Sequence, residues 1–193
     1  MTAPAPATRD FDGVAIPKPG TFAIDPAHTT VGFTARHLMV SKVRGSFTDV
    51  AGTIVIGEDP AKSTAEATIS AASINTANAD RDAHLRSPDF LDAEHYPTLT
   101  FRSQDILKQS GAEFELAGEL TIRQVTKPVT LEVEFEGVAQ SPWGQEVIGF
   151  TVTTEIDRED FGITWNQALE TGGVLVSKKI KIEIGLEAVR QAE

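Results

Sequence analysis

The chain has 193 residues, 40% of them apolar, a formal net charge of −11 and no cysteine. This length fits one domain with a sizeable core, and the lack of cysteine excludes disulfides, thiolate metal sites and cysteine nucleophiles. The excess of 28 Asp and Glu over 17 Lys and Arg argues against nucleic-acid binding and against electrostatic docking to anionic lipid.

The first 20 residues, MTAPAPATRDFDGVAIPKPG, are rich in proline and show no apolar periodicity. We predict a flexible arm over residues 1–20, with Phe11, Val14 and Ile16 as weak anchors, and one β-barrel domain over residues 21–190. The segment lacks the apolar core of a secretory signal, so a cytoplasmic location is expected. Removal of a leader would instead make the protein periplasmic or secreted.

Alternating polar and apolar residues predict β-strands along most of the chain. The pattern is clearest in VTLEVEFEG, where Val129, Leu131, Val133 and Phe135 share one face and glutamates take most of the other. STAEATISAASIN, FELAGELTIR, VIGFTVTTEID and KIKIEIGLE alternate in the same way. No stretch approaches the roughly 20 apolar residues of a membrane-spanning helix.

The exception to the strand pattern is NADRDAHLRSPDFLDAEHYP, residues 78–97. Asn78 can cap a helix, and Pro88 favours ending it at the preceding residue. The sequence therefore predicts a short helical insertion near residues 78–95. Its apolar side chains, among them Leu85, Phe90 and Leu91, would cover something apolar.

The strands predict an all-β, antiparallel fold. Strands of a parallel sheet are buried on both faces and would form continuous apolar runs, which this sequence does not show. With so little helix, the sheet must cover itself, as a closed barrel or a sandwich. The segments fit roughly eight strands, a number whose barrel interior holds side chains or one ligand. Small inward residues, such as Ala35, Ala65, Ala67 and Gly118, favour a cavity over a filled core.

Four blocks of the sequence resemble the YceI-like family of lipocalin-like polyisoprenoid-binding proteins: ARHLMVSKVRGSF, SINTANADRDAHLRSPDFLDAEHYPTLTF, GELTIRQVTKPVTLEV and DREDFGI. The likeness runs from about Thr21 to Val189. It implies an eight-stranded antiparallel lipocalin-like barrel with the helical segment near one end. It also implies an apolar tunnel for an isoprenoid chain, such as a polyprenyl quinone, and no catalytic cofactor. Gln124 departs from the family pattern, which commonly has glycine there.

The candidate ligand-binding residues are apolar and lie on the inward face or the helical insertion: Phe33, Ile69, Leu85, Phe90, Phe101, Phe114, Leu120, Phe135, Phe150 and Trp165. Trp165 could line the entrance or be an ordinary half-buried aromatic residue. The four histidines form no metal-binding motif, and no metal site is predicted. Arg81, Asp82 and His84 could perform acid–base chemistry, but they are better explained as anchors that hold the helix to the barrel.

Three hypotheses follow for the function. The first is a binding protein, not an enzyme, that sequesters a polyisoprenoid, polyprenyl quinone or similar lipid as a carrier or store. The second is a stress-related structural barrel with no dedicated ligand, which could form a homodimer through an exposed strand edge. The third is an enzyme that acts on a bound lipid through the helical cluster.

Overall fold

Antiparallel strands dominate the structure, a computed structural model that describes residues 5–192. Within that range the strands are β1 (Thr8–Phe11), β2 (Val14–Pro17), β3 (Gly20–Ile24), β4 (Thr30–His37), β5 (Ser41–Phe47), β6 (Val50–Ile56), β7 (Thr64–Ser70), β8 (Ile74–Asn75), β9 (Thr98–Ser110), β10 (Glu113–Ile122), β11 (Val125–Gln140), β12 (Glu146–Asp157) and β13 (Lys179–Arg190). The same range contains the helix α1 (Ala79–Arg86) and 3₁₀ turns at Pro26–His28, Pro60–Lys62, Ala71–Ser73 and Arg158–Phe161.

Backbone pairing closes these strands into a barrel. The ring runs β3, β6, β7, β9, β10, β11, β12 and β13, and β13 pairs back with β3. Strand β4 also pairs with β13, β5 pairs with β4, and β8 pairs with β5. Because β3 and β4 continue each other across the turn Pro26–His28, as do β5 with β6 and β7 with β8 across their own breaks, the chain makes eight long strands. The predicted eight-stranded antiparallel barrel is therefore confirmed.

The predicted alternation sets which side chains enter the interior. In β11, Val133 and Phe135 are buried while Glu132 and Glu134 are exposed. Successive side chains of a strand point to opposite faces, so one face of each strand is apolar and the other is solvated. This pattern places the core inside the ring.

The helical insertion forms as predicted. Asn78 caps α1, since its Oδ1 accepts a hydrogen bond from the Arg81 backbone N–H at 2.9 Å. Ser87 closes the other end, where its backbone N–H donates to the His84 carbonyl at 3.1 Å. Pro88 follows directly and cannot continue the helix. Within residues 5–192, no helix has the length and apolar character needed to cross a membrane.

The N-terminal segment differs from the prediction. Regular structure begins at Thr8, and not near Thr21, because β1 and β2 form an antiparallel hairpin outside the main sheet. The turn consists of Asp12 and Gly13, both with positive φ (53° and 76°), which is the signature of a two-residue hairpin turn. The part of the predicted arm over residues 1–4 lies outside the described residues.

The turn between β10 and β11 accommodates Gln124 without difficulty. Ile122 pairs with Val125, which leaves a two-residue turn. The left-handed backbone belongs to Arg123, with φ of 55°, and not to Gln124. A glycine is therefore not required at position 124.

Candidate ligand-binding cavity

The barrel interior encloses a cavity of about 360 Å³, which lies within the roughly 300–1,000 Å³ range of small-molecule sites. Aliphatic and phenylalanine side chains from all thirteen strands and from α1 form most of its wall. Phe101, Phe114 and Leu120 point inward yet are only half-buried, because part of their surface faces this space. The interior is therefore not filled by side chains. This agrees with the cavity that the small inward residues predicted.

Nine of the ten predicted ligand-binding residues line this cavity. They are Phe33, Ile69, Leu85, Phe90, Phe101, Phe114, Leu120, Phe135 and Phe150. Trp165 is the exception and lies outside the wall. Its ring packs against His84 at 4.7 Å and Phe90 at 5.3 Å between centroids, so it supports a lining residue from behind. Contact of the nine residues with a ligand stays a prediction.

The helix end of the cavity is closed by Leu85, Phe90 and Leu91. Asp82 holds this cover in place: it is buried, and one carboxylate oxygen accepts from the Thr76 backbone N–H at 2.8 Å and hydroxyl at 2.6 Å. Arg81 donates to the same threonine, from Nε to Oγ1 at 2.8 Å and from Nη2 to the carbonyl at 2.9 Å. These contacts are those expected of a helix anchor.

The opposite end is covered by the N-terminal hairpin. Phe11, Val14, Ile16 and Pro17 all line the cavity, and Pro17 is among the most completely buried residues of the described chain. The carbonyls of Gly57 and Glu58 accept hydrogen bonds from the Arg9 guanidinium. Asp12 Oδ2 accepts from the Gly111 backbone N–H at 2.9 Å. The hairpin is thus attached to two separate turns at the rim of the barrel.

Arg158 is the one buried arginine in the cavity wall among residues 5–192, with 4% of its surface exposed. Its guanidinium donates to four backbone carbonyls, those of Ser177 (2.9 Å), Ile163 (2.8 Å), Trp165 (2.9 Å) and Val176 (3.5 Å). Burial lowers the pKa of this guanidinium from its usual value, and neighbouring carboxylates oppose that shift. The side chain therefore fixes the long connection between β12 and β13 against the barrel end.

Three of the four histidines, His28, His84 and His95, pair with nearby carboxylates. Nδ1 of His28 lies 2.8 Å from Asp25 Oδ2 and 3.6 Å from a Glu187 carboxylate oxygen. The hydrogen bond that the His28 ring donates to the Asp25 carboxylate raises the pKa of His28. This group is the one place among residues 5–192 where three potential metal ligands come together. It lies on the surface, and the contacts are those of an ordinary ion pair.

The hairpin and Arg158 are the parts of the cavity wall that the sequence analysis missed. The Asp12-Gly13 dipeptide, flanked by Phe11 and Val14, is a recognisable hairpin signal and could have revealed the first. No local pattern distinguishes Arg158 from a surface arginine, because its four carbonyl partners lie as far as 19 residues away.

Comparison with known proteins adds the following. A sequence model described as the YceI-like domain matches residues 22–188. A UPF0312 protein of Staphylococcus aureus is 44% identical over 169 residues, which cover 86% of this chain and 95% of that protein. The crystal structure of a Campylobacter jejuni YCEI protein has a TM-score of 0.70 and 34% identity, and covers 81% of this chain and 90% of that one.

Two further structures share the fold. BcnA of Burkholderia cenocepacia has a TM-score of 0.72 and 24% identity, covering 85% of this chain and 98% of its own. A polyisoprenoid binding domain from Saccharophagus degradans has a TM-score of 0.67 and 12% identity, covering 90% of this chain and 100% of its own. The hairpin of residues 8–17 lies outside the family match.

Proposed function

The chain belongs to the family of YceI-like domains, and we propose that its barrel binds a long apolar molecule, with a polyisoprenoid chain such as that of a polyprenyl quinone as the ligand. The observation that carries the proposal is the apolar cavity, which is covered by the helical insertion at one end and the hairpin at the other. One solved structure with this fold is described as a polyisoprenoid binding domain.

The chemistry of the wall favours a hydrocarbon chain over a polar ligand. Strands β9 to β13 supply mostly phenylalanine, leucine, isoleucine and valine to the interior. An isoprenoid tail needs no hydrogen-bond partner, so burial of its surface supplies the affinity at roughly 25 cal/mol per Å², before the cost of association. A charged or sugar-like ligand would leave its polar groups unpaired against such a wall, which is strongly unfavourable.

The proposal assigns binding and not turnover to the protein, as a carrier or a store. The residues of the helical segment that resemble a catalytic cluster already have structural partners. Asp82 is bonded to Thr76, and His84 Nε2 lies 2.8 Å from Asp89 Oδ2. Replacement of His84 or Asp82 should therefore alter the stability of the fold. It should not abolish any chemical reaction of a bound lipid, because none is expected.

The decisive experiment is organic extraction of protein purified from its native host, followed by mass spectrometry. A stoichiometric isoprenoid lipid in the extract supports the proposal. The delipidated protein should then take up added polyprenyl quinones, which quinone absorbance after gel filtration measures. A protein that yields no lipid and ignores the added quinones would overturn the proposal and favour a packed structural barrel.

A further inference from the structure

Basic side chains gather on one outer face of the barrel. A surface groove is lined by six of the 17 Lys and Arg and by two of the 28 Asp and Glu. The basic residues are Arg36, Lys42, Arg44, Lys178, Lys179 and Lys181. Strand pairing explains the clustering, since Arg36 lies opposite Lys42, and Thr34 lies opposite both Arg44 and Lys181.

Half of these cations form no direct ion pair among the described residues. Lys178, Lys179 and Lys181 form ion pairs with nearby carboxylates. Among residues 5–192, no carboxylate lies within ion-pair distance of the other three, which are on β4 and β5 and are exposed. The six cations outnumber the four carboxylates that line the groove or pair with its lysines: Glu155, Asp157, Glu159 and Glu183. The pKa of Glu183 is lowered chiefly by Lys181, and Lys42 and Arg44 are near enough for their charge to lower it further. The face nevertheless keeps a positive excess on a protein whose net charge is −11.

An apolar tip projects beside this basic face. The turn between β4 and β5 consists of Leu38, Met39 and Val40, and Val40 is 82% exposed and Met39 55%. Met39 lines the same groove as the six cations. Leu38 and Met39 both have left-handed backbones, with φ of 53° and 59°. Such a turn ordinarily takes glycine or asparagine, so folding alone does not explain three apolar residues here.

The net charge of the whole chain does not describe the charge of this surface. The acidic excess argued against docking to anionic lipid, but charges act over only about 8 Å at physiological ionic strength. Strand β11 alone has 16 residues, a length of roughly 50 Å. The acidic residues at the far end of the barrel are therefore screened from anything that touches the basic face.

We propose that the tip of residues 38–40 and the six cations of the adjoining groove form a docking surface for a bilayer that contains anionic phospholipid. The apolar side chains would insert at the level of the headgroups while the cations contact lipid phosphates. Peripheral membrane proteins combine hydrophobic insertion and electrostatic attraction in this way. The apolar tip favours a membrane over a nucleic acid or an acidic protein. The inference does not depend on the identity of the cavity ligand.

Vesicle flotation of the full-length protein tests this proposal. The protein should float with vesicles of phosphatidylcholine and phosphatidylglycerol, and not with phosphatidylcholine alone, and the fraction bound should fall as salt is raised. Each cation near an anionic leaflet changes partitioning roughly fivefold. The double variant Lys42→Gln, Arg44→Gln should therefore bind roughly 25-fold more weakly, and Val40→Asp should lose binding.

Trp143 provides a matched control, because it is as exposed as Val40, at 84%, but sits on the turn between β11 and β12. Trp143→Asp should float like the wild type. Loss of flotation in Trp143→Asp with retention in Val40→Asp would overturn the proposal. So would a wild type that ignores acidic vesicles. Thermal unfolding of each variant shows that the exposed substitutions leave the fold intact.

Discussion

Filling the cavity from its own wall should greatly weaken ligand binding while preserving the barrel. Ala67 is the suitable position, because it lines the cavity on β7 and lies opposite Phe101 of β9. The variant Ala67→Phe places an aromatic ring where the structure has open apolar space. A side chain that points into a cavity meets less steric opposition than one in a filled core.

The expected loss of affinity can be worked from area. A phenylalanine occupies about 150 Å² or more of buried surface, and a ligand displaced from that space loses a similar contact area. At about 25 cal/mol per Å² this amounts to roughly 4 kcal/mol, or about a thousandfold in Kd. The delipidated variant, titrated with a polyprenyl quinone, should show a Kd raised by about that factor.

Thr68→Phe is the control, because Thr68 is the next residue of β7, is exposed and faces outward. It adds the same ring to the same strand and should leave Kd unchanged. The reasoning is refuted if Ala67→Phe remains folded and binds the quinone as tightly as the control. A ligand site outside the barrel would produce that result.

Three other predictions concern the surroundings of the cavity. Arg158→Lys should lower the free energy of unfolding by about 3 kcal/mol and Tm by roughly 10 °C. The reason is that one ammonium group cannot reach all the carbonyls that the guanidinium binds. An unchanged calorimetric Tm would contradict this prediction. The double variant Arg9→Ala, Asp12→Ala should release bound quinone about tenfold faster in stopped-flow exchange, because it frees the hairpin from the rim. An unchanged rate would indicate that the quinone leaves through the helix end of the barrel. The hydrogen bond that the His95 ring donates to the Asp92 carboxylate raises the pKa of His95 above its usual 6.5. The stabilising pair is therefore fully present below about pH 6.5 and is lost as pH rises through the raised pKa. NMR titration should find this raised value, and urea unfolding should show that His95→Gln loses more stability at acidic than at alkaline pH.

Much of the fold follows from local patterns in the sequence. Alternation along β11 and β13 requires one solvent-exposed face and one apolar face. Because the described chain has many such strands and one short helix, the strands must cover each other's apolar faces. Asn78 and Pro88 delimit the helical insertion by their own backbone preferences. The inward parity of Phe101 and Leu120 then places them in the cavity wall. These features are local, so the sequence predicts them.

The remaining features depend on contacts between distant segments. The hairpin of residues 8–17 was missed because proline-rich composition outweighed a short Asp-Gly turn. For Trp165 the sequence left two readings open, because its position is set by packing against His84 and Phe90 and not by strand parity. The full extent of the basic face also depends on distant contacts, since β4, β5 and β13 assemble it from separate stretches of chain.

Barrel closure has a consequence for how the protein is made. The last strand, β13, pairs with the first strand of the ring, β3, and the Gln191 backbone N–H donates to the Thr21 carbonyl at 2.8 Å. During synthesis the ring therefore cannot close until β13 has left the ribosome. Until then, the inward faces of the preceding strands are exposed, and topologies with such distant contacts fold slowly. A nascent chain of this protein is accordingly a natural client for chaperones, and the closed cavity forms only after β13 has joined the ring.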